Sequence, residues 1–352
     1  MPPEQADIDR AVALLQAGEL VAFPTETVYG LAADAANPLA VRRIFAAKGR
    51  PADHPLIVHL AGGGCLDRWA RDIPASAWEL AEAFWPGPLT LILKRAGAVP
   101  TAVTGGQDSV GVRVPAHPVA LALLRAYAEA GGGVGGGVGG MCGLAAPSAN
   151  RFGRISPTDA AHVREELGNS VSLVLDGGRC QVGIESTILD LTRDDGEPPR
   201  LLRPGRVTPE QIAAVIGVLP QTPTPQADDG APRVSGSLAA HYAPATPLRL
   251  VASTRLAGLV DELRQAGRRS AILCHSELPG AVATPAVRKL AADPRGYARA
   301  LYAALRELDQ VAADLIVVED VPATRAWAAV ADRLRRAAVG AGQKQHPARS
   351  RR

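Results

Sequence analysis

Long hydrophobic runs are missing from this 352-residue sequence; the apolar stretches are brief, such as Leu20 to Phe23 and Leu89 to Leu93. A membrane helix needs roughly 18 such residues, so no span is predicted. The first residues, Met-Pro-Pro-Glu-Gln, have no positive flank and no apolar segment before a cleavage site. A secretory signal is therefore not expected, and the cytoplasm is the expected compartment. Cysteine is sparse: Cys65, Cys142, Cys180 and Cys274 stand far apart, with no Cys-x-x-Cys pair and no His-Glu-x-x-His. Neither a metal centre nor a disulfide framework is predicted, and the four are read as reduced thiols. Aromatics make up 4% and the net charge is +3, too little stacking surface and too weak a field to announce a nucleic-acid binder. Lysine is rare too, at Lys48, Lys94, Lys289 and Lys344 only, so a Lys inside a Gly-containing turn calls for its own reason.

What is present fits a globular α/β chain of more than one domain, with 47% apolar residues. An amphipathic helix over Asp7 to Ala17 stops at Gly18, and a short strand runs from Leu20 to Phe23. Helices near 39–47, 76–84, 118–130 and 159–167 then alternate with strands at 55–60, 89–94, 109–114, 143–146, 172–176, 186–191 and 200–202, before a helix that begins near Pro209. The run from Gly131 to Gly143 leads into an apolar segment rather than a helix N-terminus, and is read as a surface insertion, not a phosphate loop. Pro, Thr, Gln and Asp dominate from Leu219 to Arg233, which marks a linker. Beyond it, strands at 248–252, 270–275 and 315–319 alternate with helices near 256–266, 294–312 and up to 338, the rhythm of a small parallel, Rossmann-like sheet. The expected division is a first domain over 1–217, a linker over 218–244, a second domain over 245–340 and a disordered basic tail over 341–352.

Polar clusters recur at the predicted strand ends. Pro24-Thr25-Glu26-Thr27-Val28-Tyr29-Gly30 follows the first strand, either as a ligand-lining loop or as a capped helix start. In Lys48-Gly49-Arg50-Pro51 two cations can reach one anion while Gly49 admits close approach; a solvated helix C-terminus is the alternative. His54 and His59 lack a third metal ligand, which favours hydrogen bonding to a substrate. Arg113 lies within an apolar strand on the same face as Ser109, so it needs an anion, whether a substrate carboxylate or an internal Asp or Glu. Ala146-Pro147-Ser148-Ala149-Asn150, Glu185-Ser186-Thr187 and Leu202-Arg203-Pro204-Gly205 add hydroxyls, an amide and another guanidinium.

In this order, the motifs resemble the YrdC family from about residue 5 to 216. Ser235 to Pro244 and residues 245–338 resemble the connector and C-terminal domain of its long form. The resemblance implies a twisted mixed sheet with flanking helices and a basic cavity, followed by a smaller Rossmann-like parallel α/β domain. It implies the joining of L-threonine, bicarbonate or CO2, and ATP into threonylcarbamoyl-AMP and pyrophosphate, with Mg2+ on the triphosphate. The product would pass to the machinery that modifies tRNA beside the anticodon, with at most a weak RNA contact by this chain. By the same resemblance Thr27, His59, Arg113, Ser148 and Ser186 hold threonine. Lys48, Arg50, His54, Ser109, Asn150, Thr158 and Arg203 face ATP, Lys48 and Arg50 as the catalytic pair, and Tyr242 folds over the pocket as a lid. Two departures stand out: Ser109 replaces a more usual Thr, and the connector lacks the expected Ser-Pro-Gly-Met. Two other readings compete, an RNA-binding or ribosome-associated module without adenylate chemistry, and a hydrogenase-maturation relative whose additional domains this chain lacks.

Overall fold

A computed structural model describes residues 3–132, 141–193, 196–222, 230–277 and 286–342. The glycine-rich stretch 133–140, residues 223–229 of the expected linker and the tail from residue 343 lie outside the described residues. Two units emerge. The first comprises Met1–Arg151, Pro157–Gln181 and Glu185–Ser237; the second takes Phe152–Ser156 and Val182–Ile184 as well as Leu238–Arg352. The segment read as linker thus divides at Ser237 between the two.

The first unit is built on a mixed sheet. Its strands are β1 (Val21–Phe23), β2 (Gly30–Asp34), β3 (Ile57–His59), β4 (Leu89–Lys94), β5 (Ser109–Arg113), β6 (Leu144–Ala145), β7 (Leu173–Val174), β8 (Thr187–Asp190) and β9 (Arg200–Arg203). They lie in the order β7-β1-β2-β6-β3-β5-β4-β8-β9. β3 and β5 are parallel neighbours, as are β4 and β8, whereas β4 and β5 are antiparallel. Every residue of β5 is buried, because both faces are covered.

Alternation divides those faces between packing and chemistry. Val58, Leu91, Val110, Val112 and Leu189 join one core with Val41, Ile44 and Phe45 of the helix Pro38–Lys48. The opposite face aligns Ile57 with Gly111 and His59 with Arg113, places Ile92 beside Gly111 and Thr90 beside Ile188, and so gathers polar residues around a small apolar patch. Further along the sheet, the helices Gln5–Gln16 and Pro118–Glu129 pack Ile8, Leu15, Leu123 and Tyr127 against Val21, Phe23 and Leu144.

The loop Pro24–Tyr29 does not open a helix; it turns directly into β2. Gly-Leu-Ala-Ala-Asp carries none of the β-branched or aromatic residues that mark strands, yet all five residues are buried between β1 and β6. β12 (Ala286–Lys289), half-exposed at a sheet edge, likewise has no counterpart among the predicted strands.

The second unit stacks helices on a parallel sheet of β10 (Leu248–Val251), β11 (Ser270–Cys274), β12 and β13 (Leu315–Glu319), in the order β10-β13-β11-β12. The central strands β11 and β13 are wholly buried. At their carboxyl ends, the fully buried Glu319 accepts the backbone N–H groups of His275 at 2.7 Å and Ser276 at 2.9 Å. Burial alone would raise the pKa of this carboxyl, but hydrogen bonds from Ser276, Ser253 and the backbone pull it down to about 2. Among the described residues no helix is long and apolar enough to cross a membrane.

A carboxylate whose folded pKa is depressed stabilises the protein above its unfolded pKa, near 4.5, and that contribution fades as the pH falls toward the folded value. Glu319→Gln is expected to lower unfolding stability at neutral pH by about 3 kcal/mol. The deficit relative to wild type should shrink between pH 7 and pH 3 in denaturant titrations; a constant deficit would mean that the charge contributes nothing.

Candidate functional site

The helix Pro38–Lys48 delivers the first cations. Asn37 caps its start through Leu39 N and Ala40 N at 3.0 and 3.3 Å, Pro38 suits its first turn, and Gly49 ends it at φ 61°. A side chain at Gly49 would meet open space. That glycine serves the left-handed stop of the helix. Lys48 and Arg50 flank this turn and are buried, so neither is the solvated helix end considered from sequence. The Lys48 ammonium donates to the carbonyls of Ser148 and Asn150. Burial, then the nearby Arg50 guanidinium, pull its pKa well below the usual lysine range.

Arg50 donates to Pro55 O at 2.8 Å and to the Ser235 hydroxyl at 3.2 Å. Arg203, at the end of β9, reaches the same residue through Ser235 O at 2.8 Å and binds Ser186 through its carbonyl at 3.0 Å and its hydroxyl at 3.1 Å. Ser186 also bonds Thr90 at 2.7 Å. Burial and the charge of Arg50 together lower the pKa of His54.

Arg113 ends β5 and is buried. It donates to Gly87 O at 3.1 Å, to the Thr27 hydroxyl at 3.0 Å and to Glu26 Oε1 at 2.6 Å. Sequence left its anion open; the structure supplies an internal one, Glu26. Two of the five guanidinium N–H groups remain uncommitted among the described residues. His59, aligned with Arg113 across β3 and β5, sits edge-on to Phe23 with ring centroids 6.0 Å apart. Burial and the Arg113 charge push its pKa down to about 3, so the ring is neutral, and its buried Nδ1 has no hydrogen-bond partner among the described residues.

The loop after β1 is locked by the Thr25 hydroxyl, which donates to Val28 O at 2.7 Å and lies 2.8 Å from the Thr27 hydroxyl. Backbone bonds from Leu31 N to Pro147 O and from Ala149 N to Tyr29 O stitch this loop to the Ser148–Asn150 turn, and Tyr29 N reaches Pro157 O beside Thr158. Thr158 bonds His162 through its backbone N–H at 3.3 Å. A small pocket open to solvent is lined by Pro55, Ile57, Ile92, Ser109, Gly111 and Ser235, among others. Its lining residues Ser109 and Gly111 lie on the same strand face as Arg113, Ser109 about 13 Å from it along β5 by strand rise.

The structure thus joins Thr27, Lys48, Arg50, Arg113, Ser148, Asn150, Ser186 and Arg203 in bonded clusters of one unit, with His59, Ser109 and Thr158 on the same sheet face or stitched loops. Tyr242 belongs to the second unit, buried, with φ 60°, stacked on Tyr302 at 5.7 Å and lying under the Arg333 guanidinium. Sequence reasoning missed Glu26 as a partner of Arg113, Thr90 and Ser235. Thr90 had a signal, a lone hydroxyl in the apolar run Leu89 to Leu93; Ser235 opens the connector motif, but its bonds to Arg50 and Arg203 depend on where the connector crosses. Among the described residues no three His, Cys, Asp or Glu side chains gather as metal ligands.

Two family models match in tandem. Residues 13–205 match the Sua5–YciO–YrdC model, described as "Telomere recombination", and residues 207–339 match "Threonylcarbamoyl-AMP synthase, C-terminal domain". A Bacillus subtilis (strain 168) protein named threonylcarbamoyl-AMP synthase is 41% identical over 338 residues, spanning 95% of this chain and 93% of its own. A protein of the same name from Pyrococcus abyssi (strain GE5 / Orsay) is 39% identical over 341 residues, 95% and 94% of the two chains. The solved structure described as P. abyssi Sua5 complexed with L-threonine aligns with a TM-score of 0.85 and 37% identity over 97% of this chain and 96% of that one. Similarity along both units favours the enzyme over the RNA-binding reading. With its two domains matched in sequence and the whole chain matched in structure, this chain belongs to the Sua5–YciO–YrdC family, in the form that carries the threonylcarbamoyl-AMP synthase C-terminal domain.

Proposed function

We propose that the chain is an L-threonylcarbamoyladenylate synthase acting in the cytoplasm, which passes its product to the proteins that modify tRNA. The observation that carries this reading is Arg113, a buried guanidinium already fixed by three acceptors and still holding two N–H groups for an incoming carboxylate. Threonine lies there, its polar groups within the hydroxyl set of Thr27, Ser148 and Ser186, with the neutral His59 ring as an acceptor. Adenine and ribose follow β5 toward Ser109 and the cavity beside it, with His54, Asn150 and Thr158 at its borders. Lys48, Arg50 and Arg203 take the phosphates; Lys48 has a third N–H left after its two carbonyl partners.

The threonine amine adds to CO2, losing a proton, and the carbamate oxygen then attacks the α-phosphorus as the bond to pyrophosphate breaks. No protein nucleophile takes part. The chain aligns two anions that would repel each other in water and holds fixed positive charge where negative charge accumulates. The donor set is cationic and hydroxylic, so these residues do not fit a resident metal; Mg2+ is proposed only as the counter-ion carried by the triphosphate.

Pyrophosphate release from ATP should require threonine and bicarbonate together; equal release without threonine would reject the assignment. Arg113→Ala is expected to raise the threonine KM by on the order of tenfold to a hundredfold, the equivalent of one charge-assisted bond. The KM for ATP should change little, and an unaltered threonine KM would remove Arg113 from the amino-acid end. Lys48→Ala should show the reverse pattern in steady-state kinetics, with the larger loss in ATP dependence.

A further inference from the structure

Glu26 has no assigned role, and its placement is unusual for a cavity that must gather anions. It is buried, and both carboxylate oxygens are engaged, Oε1 with Arg113 at 2.6 Å and Oε2 with Ala116 N at 3.0 Å. One side chain from the loop after β1 therefore grips both the guanidinium and the backbone three residues beyond it. Four buried cations, Lys48, Arg50, Arg113 and Arg203, lie in this unit. ATP, pyrophosphate and the carboxylate of threonine are all anions that any of them attracts. A bare Arg113 in low dielectric would bind a phosphate as readily as a carboxylate.

We propose that Glu26 is a positioning and selectivity residue that neutralises Arg113 and thereby reserves the amino-acid end of the cavity for a zwitterion, directing polyphosphate to Lys48, Arg50 and Arg203. The ion pair leaves Arg113 able to offer hydrogen bonds without offering net charge. A free amino acid, itself net neutral, loses little by this; a polyanion loses the main source of its attraction and meets the Glu26 charge as well. The Ala116 bond holds the carboxylate in place, so an arriving carboxylate completes the guanidinium's set of acceptors instead of displacing Glu26. This inference rests on the proposed placement of threonine at Arg113.

The test is calorimetric titration of the full chain with threonine, with and without inorganic pyrophosphate, which needs no turnover. In the wild type, pyrophosphate should leave the apparent threonine affinity unchanged within about twofold. In Glu26→Gln, which keeps an oxygen acceptor and removes the charge, the same pyrophosphate should weaken threonine binding about tenfold or more by direct competition. Glu26→Asp retains the charge and should behave like the wild type in this comparison, even if its affinity for threonine falls. Pyrophosphate competition in the wild type or in Glu26→Asp, or its absence in a folded Glu26→Gln, overturns the proposal. Should the Gln variant fail to fold, Glu26→Ala takes its place in the same comparison, with pyrophosphate competition expected and its absence overturning the proposal. Failure of the wild type to bind threonine at all would instead reject the functional assignment.

Discussion

Arg113 and Glu26, both buried, hold each other 2.6 Å apart, and the loop, strand and turn that meet there are tied together through that contact. A guanidinium taken out of water costs several kcal/mol unless its donors are met. Here Gly87, Thr27 and Glu26 meet three of them, from two segments of chain, the loop after β1 and the turn before β4. Each segment is in turn fixed: Thr27 by the Thr25 turn, Gly87 by its N–H bond to Val114 O, Glu26 by Ala116 N. Strand, loop and site are thus mutually dependent through these bonds.

The same logic governs the other cations. Lys48 is satisfied by carbonyls of the Ser148–Asn150 turn, and Arg50 and Arg203 converge on Ser235. Carbonyl and hydroxyl oxygens are among the acceptors of all three. Arg113 differs in pairing with the Glu26 carboxylate at 2.6 Å.

Much of this was legible in the sequence because the chemistry announces itself in residue types that cores avoid. An Arg in an apolar strand, a rare Lys before a Gly, and hydroxyls clustered at strand ends are each improbable as packing. The helix stop at Gly49 and the face shared by Ser109 and Arg113 follow from local rules. Strand order does not, since neighbours such as β3 and β5 are separated by more than 40 residues and are chosen by burial of whole faces. β2 escaped notice because Gly-Leu-Ala-Ala-Asp is a strand by position, not by propensity. The identity of Arg113's partner was undecidable without coordinates, as an internal Glu and an external carboxylate satisfy a guanidinium equally well.

The second unit draws on two short pieces of chain that lie within the first unit's sequence, Phe152–Ser156 and Val182–Ile184. Gly153 O accepts Ala243 N, Ile155 O accepts the Arg306 guanidinium, Arg154 pairs with Asp309, and Gly183 packs against Ala298 and Arg299 so tightly that a Cβ would lie 2.5 Å from the backbone. A ribosome releases Ile155 about 150 residues ahead of Arg306. These contacts can form only after that later stretch has been made, so the second unit is assembled from pieces synthesised at widely separated times.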